Sequence, residues 1–171
     1  MLALALTAEL NGVTDLRPHD TAESPFYYTF TVQCTSCRET HPNPVTMSRF
    51  ETHDVSGSRG EANFVWKCKN CKVICPWPYC LPHCGLPVWQ REHSATVKAA
   101  PATYERSDPP KIKNILEIDC RGLEFTEFKA EVESNTKFSG IELNEGEWFD
   151  YDEKAGEEVS ITNLKWEIRR A

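Results

Sequence analysis

Phe26-Tyr27-Tyr28-Thr29-Phe30-Thr31-Val32-Gln33-Cys34-Thr35-Ser36-Cys37 alternates and then runs without a break into a cysteine pair. Phe26, Tyr28, Phe30 and Val32 repeat at period two, the pattern of a strand buried on one face. Ala62, Phe64 and Trp66 repeat it directly ahead of Lys67-Cys68-Lys69-Asn70-Cys71. Outward from these two stretches the same period governs Leu2, Leu4, Leu6, Ala8 and Leu10, then Leu116, Ile118 and Cys120, then Phe128, Ala130 and Val132. Helical periodicity is nearly absent. Val159 and Ile161 are in phase, whereas Leu164, Trp166 and Ile168 are shifted by one, which a bulge near Asn163 would reconcile. Thr14-Asp15, Ser56-Gly57, Arg59-Gly60 and Asn144-Glu145-Gly146 supply the turns. The pattern predicts an all-β, two-sheet sandwich-like fold.

One domain over residues 1–171 is expected. Glu9-Leu10-Asn11-Gly12-Val13 and Asp119-Cys120-Arg121-Gly122-Leu123 echo one another, which suggests two similar halves, about 1–72 and 112–171. Residues 91–111 read as a crossover or linker, because Asp108-Pro109-Pro110 cannot sit in a central strand.

The two C-x2-C pairs stand 30 residues apart, each at the end of an alternating strand. A turn of that spacing puts both sulfurs on one side, and two such turns complete a tetrahedron around one Zn²⁺ at about 2.3 Å. Cys34, Cys37, Cys68 and Cys71 are therefore the expected metal ligands. A hairpin between Val45 and Trp66 would bring the pairs together. Four thiolates on Zn²⁺ leave two negative charges, which Arg38, Lys67, Lys69 and Lys72 are expected to soften. The competing readings are redox dithiols, which normally open a helix, and plain buried cysteines.

Leu, Ile, Val and Phe make up 36 of 171 residues, a thin aliphatic supply that 18 aromatic residues supplement, so something besides burial should help hold the fold. The net charge is −7, and Glu117 to Glu158 alone carries 14 acidic and 4 basic residues. Such a half repels phosphate, so nucleic acid is not an expected partner. No apolar run approaches the roughly 20 residues of a membrane span, and the opening Leu2 to Leu6 makes a poor signal peptide and a good strand. With eight cysteines and no Asn-x-Ser/Thr acceptor, a cytoplasmic protein (the nucleus being the other compartment considered) is expected.

Taken with the two cysteine pairs, the Gly12 to Pro18 turn, Gly57-Ser58-Arg59-Gly60, Asp119-Cys120-Arg121-Gly122-Leu123-Glu124 and Trp148-Phe149-Asp150-Tyr151-Asp152, the chain resembles the eukaryotic CXXC-motif-containing zinc-binding proteins. The resemblance implies an all-β fold with zinc on Cys34, Cys37, Cys68 and Cys71, and it implies no reaction. Val73 to Gln90, VICPWPYCLPHCGLPVWQ, departs from it. Removing these residues joins Lys72 to Arg91 and restores the family's pattern. The 18 residues correspond to 54 nucleotides, Val codons begin with GT and a Gln codon can be CAG, so the segment is read as an insertion from a translated retained intron. A lineage-specific loop, or a second metal site from Cys75, Cys80, Cys84 and His83, are the alternatives.

Asp150, Asp152 and Glu153 read as a solvated acidic loop, Cys120 as a buried strand residue, and His19, His41, His53 and His93 as isolated. No catalytic constellation is visible, and four protein ligands close a zinc site to substrate. The expected function is a structural zinc protein that serves as a protein-interaction module without enzymatic activity. Zinc or copper transfer through the same thiolates is the alternative, and a thiol oxidoreductase the third reading.

Overall fold

The computed structural model describes residues 1–56, 59–71, 92–129, 137–138, 141–142, 147–153 and 156–171. The segment 73–90, with its candidate second metal site, lies outside them, as do Lys72, the Asn144 to Gly146 turn, Ala130 and Val132. Every regular element among the described residues is a strand. In chain order they are β1 (Leu2–Asn11), β2 (Tyr27–Cys34), β3 (Val45–Ser48), β4 (His53–Asp54), β5 (Glu61–Ala62), β6 (Phe64–Lys67) and β7 (Glu92–Val97). β8 (Lys113–Arg121), β9 (Leu123–Phe128), β10 (Lys137–Phe138), β11 (Ile141–Glu142), β12 (Trp148–Asp152) and β13 (Glu157–Arg170) follow.

A six-stranded sheet in the order β12-β13-β1-β8-β7-β6 faces a three-stranded sheet in the order β3-β2-β9, and β4-β5 and β10-β11 are small ribbons. The pairings are antiparallel. Between the two sheets lies the main core. Leu2, Leu4, Ala95, Val97, Leu116 and Ile118 come from the large sheet, and Tyr28, Phe30, Val32, Met47, Leu123 and Phe125 from the small one. The Phe30 and Phe125 rings stack at 4.4 Å, the kind of aromatic packing that compensates for few aliphatics. Residues from both halves of the chain interleave in both sheets. The Gly12 and Gly122 echo falls at the ends of the paired strands β1 and β8, with both glycines at positive φ (68° and 77°).

The phase slip in the last strand is a bulge. Thr7 pairs with Lys165 and Glu9 with Thr162, so Ala8 faces Asn163 and Leu164 together, and Asn163 takes the left-handed conformation (φ 53°). Beyond Leu6, β1 has also outrun β8. There Tyr104, from the expected linker, fills the gap: its hydroxyl donates to the Ala8 carbonyl (3.1 Å) and accepts the Ala8 N–H (3.2 Å). Tyr104 is buried in a second core with Leu6, Leu10, Leu16, Ile115 and Ile161. The crossover is thus a packed part of the domain.

One expectation needs correction. Asp150 and Asp152 lie in edge strand β12, exposed as expected but in no loop. The alternation expected through Phe128, Ala130 and Val132 lies mostly outside the described residues, and Phe128 itself closes β9. A register slip between Thr31 and Val32 makes Thr126 the extra residue of a bulge, which brings Phe128 onto the face of Phe125, and both rings pack on Phe30 (5.3 and 4.4 Å).

Candidate metal centre

The chain crosses between sheets several times, and two of its strands carry their cysteines to the same end of the sandwich. β2, central in the small sheet, ends on Cys34, and β6, the edge of the large sheet, ends just before Cys68. The turn after β2 is tight: Arg38 N–H donates to the Cys34 carbonyl (2.9 Å) and Cys34 N–H to the Glu39 carbonyl (2.9 Å), with Arg38 at φ 61°. This returns Cys37 to the side of Cys34. The metal-binding atoms of Cys34, Cys37, Cys68 and Cys71 all lie within 4.8 Å of one another. Cys34 Sγ stands 3.4 Å from Cys71 Sγ, and Cys37 Sγ 3.6 Å from Cys68 Sγ. Four sulfurs at about 2.3 Å from one zinc ion stand about 3.8 Å apart, so the cluster has the dimensions and the soft donor set that zinc requires. Cys34 and Cys68 are buried, Cys71 is half-buried and Cys37 is exposed.

Both turns aim amides at their first sulfur. Cys34 accepts from the N–H groups of Cys37 and Ser36, and Cys68 from those of Cys71 and Asn70. Burial pushes the Cys34 thiol up, but these amides and the neighbouring thiols outweigh it and bring it down to about 7. At Cys68 burial wins and the thiol is raised. The Cys71 thiol is pushed up to about 12, foremost by its hydrogen bonds with Cys34 and Cys37. Backbone amides, with the neighbouring thiols, are therefore what favour the Cys34 thiolate. Of the expected cations, Lys67 pairs with Glu92 (3.0 Å) and Arg38 with Glu124 (3.2 Å).

Spacing alone did not reveal what supports the cluster. Thr35 hangs the first turn on the β8–β9 corner: its N–H and its hydroxyl both donate to the Gly122 carbonyl (3.1 and 2.9 Å). His93 on β7 is buried, with Nε2 3.9 Å from Cys34 Sγ. A Cβ on Gly122, whose φ is already +77°, would overlap the His93 ring. Trp66 closes the flank, its ring 5.6 Å from His93 and 5.8 Å from His41. His19 and His53 are exposed elsewhere. Cys120 is half-buried on β8, its thiol pushed up to about 12 by burial and then by Asp119.

Comparison with known proteins agrees with this geometry. The UPF0587 protein C2D10.03c of Schizosaccharomyces pombe is 43% identical, covering 99% of this chain and 98% of that protein. The mouse CXXC motif containing zinc binding protein is 35% identical over 94% of this chain and 92% of its own. The crystal structure of C1orf123 superposes with a TM-score of 0.74 at 31% identity, covering 99% of both chains. A hypothetical protein from Plasmodium falciparum shares the fold with a TM-score of 0.69 at 20% identity, covering 98% of both. The family model for the eukaryotic CXXC motif containing zinc binding protein matches residues 3–75 and 84–169, passing over part of the segment singled out in the sequence. Strand-end cysteine pairs, the Gly122 corner and this match along nearly the whole chain place it in that family.

Proposed function

We propose that Cys34, Cys37, Cys68 and Cys71 hold one structural zinc ion, and that the protein is a non-enzymatic module that binds another protein in the cytoplasm, the nucleus being the alternative compartment. One observation carries this reading: the four sulfurs converge from the ends of strands in two different sheets. An ion there joins the sheets at the end where β6 contributes only four residues to the edge. Four thiolates fill the zinc coordination sphere and leave no position for a substrate. Among the described residues neither pair opens a helix, the usual setting of a redox dithiol. Thiolate ligands are kept reduced in the cytoplasm and nucleus, and the acidic balance disfavours nucleic acid as the partner.

The exposure of Cys37 favours a second reading, zinc or copper transfer, because a partner thiol can begin ligand exchange only at a sulfur it can reach. A chelator challenge separates the two. A structural site holds zinc against a moderate chelator and unfolds when a strong one strips it. A transfer site exchanges within the mixing time and stays folded. Turnover in an insulin-reduction assay would instead favour the oxidoreductase.

A further inference from the structure

Phe149 and Tyr151 are 67% and 55% exposed on β12, an outermost strand of the six-stranded sheet. Among the described residues no strand pairs with its outer edge. Trp148 turns the other way and packs against the second core. On β13 the residues opposite the two exposed rings are Ser160 and Glu158, so the rings stand on the polar face of the sheet without apolar cover from that strand. They border a cleft of about 540 Å³ lined also by Asn11, Asp150, Glu158 and Val159, with no lysine or arginine among the described residues. From Glu147 to Glu158 the chain carries six carboxylates and one lysine.

We infer that the outer edge of β12 is a docking strand for a basic, extended segment of a partner protein. The segment adds to the sheet through main-chain hydrogen bonds, lays alternate apolar side chains on Phe149 and Tyr151, and sets its lysines or arginines on the opposite face, toward Asp150 and Asp152. Strand addition to an exposed edge draws affinity from the backbone and specificity from alternate side chains. Charge selects the occupant. A second copy would bring two acidic edges together, and like charges opposite one another in a sheet destabilise the pair. A basic strand meets complementary potential along the whole edge. The inference names the surface for the interaction-module reading and rests on it.

The test uses the zinc-loaded full chain and a short peptide of alternating lysine and valine, with a glutamate–valine peptide as control. Backbone amide shifts on titration should be confined to β12 and the adjoining part of β13, and should be absent with the control. The double variant Phe149→Ala, Tyr151→Ala should weaken binding by about tenfold or more with zinc content and melting temperature unchanged. Absent binding, or shifts elsewhere, overturns the docking strand. So does a melting temperature that falls by several degrees, which would mean the rings are packed within the chain. Self-association in sedimentation that the double variant abolishes overturns it in favour of a second copy. If the peptide fails while the double variant still captures a protein partner, the docking strand is wrong and the interaction reading stands. If the peptide binds β12 but zinc exchanges within the mixing time, the docking strand stands and the structural-zinc reading fails.

Discussion

His93 connects the metal cluster to the core, and it does so through Gly122. The imidazole fills the space that any side chain at position 122 would need, and its Nε2 faces Cys34 Sγ. Two substitutions follow. Gly122→Ala must place an L residue at φ +77° and displace the ring, so it should cost about 2 kcal/mol or more and speed zinc loss to a chelator. His93→Ala removes the ring but leaves the turn relaxed. It should cost about 1–3 kcal/mol and also speed zinc loss, and combined with Gly122→Ala it should relieve part of the glycine defect. Denaturant melts and chelator-release rates of the three variants check this, and strict additivity would refute the coupling. The four cysteines were legible from spacing, because a strand followed by C-x2-C has few other uses. His93 was not, because its contact with Cys34 spans 59 residues. The available signal was phase: His93, Ala95 and Val97 alternate inward along β7.

At the scale of elements, the bulge at Asn163 was legible because a change of phase in an apolar stripe has one simple geometric cure. Its consequence was not. A bulge in β13 and a short β8 together free the Ala8 main chain, and Tyr104 answers both of its groups from a segment whose prolines read only as linker. Tyr104→Phe keeps the ring and deletes the hydroxyl, leaving a buried donor and a buried acceptor unmatched. It should cost about 1–3 kcal/mol, and hydrogen exchange should quicken around Ala8 and Leu10 before the β2–β9 pairing is affected. A wild-type melting point in this variant would mean that water replaces the hydroxyl. Strand β12 was misread because its carboxylates resemble those of a loop. Edge strands carry such charges to resist pairing with their like, so composition alone does not separate the two.

For the whole molecule, the proposed zinc ion would take the place that a larger aliphatic core fills elsewhere. The main core is contiguous between the sheets, but the end at β6 is closed by four sulfurs. Cys120 offers a check on the fold that is independent of the metal. Its folded thiol is pushed up to about 12, foremost by burial, against an ordinary value near 9. The neutral form is therefore favoured in the native state. Its contribution is complete below about pH 9 and is lost as pH rises from there toward 12. Cys120→Ala should flatten the alkaline limb of a stability–pH curve, and alkylation of Cys120 at pH 8 should be slow until the chain unfolds. In the proposed arrangement one zinc ion on Cys34, Cys37, Cys68 and Cys71 joins the two sheets. Elemental analysis of purified wild-type and Cys68→Ser protein, paired with melting curves, tests it most directly. Wild-type protein should carry one zinc per chain and Cys68→Ser little or none, with a loss of stability on the order of 10 kcal/mol, enough to leave the variant largely unfolded. Full zinc content in Cys68→Ser, or a metal-free variant that melts like the wild type, would contradict it.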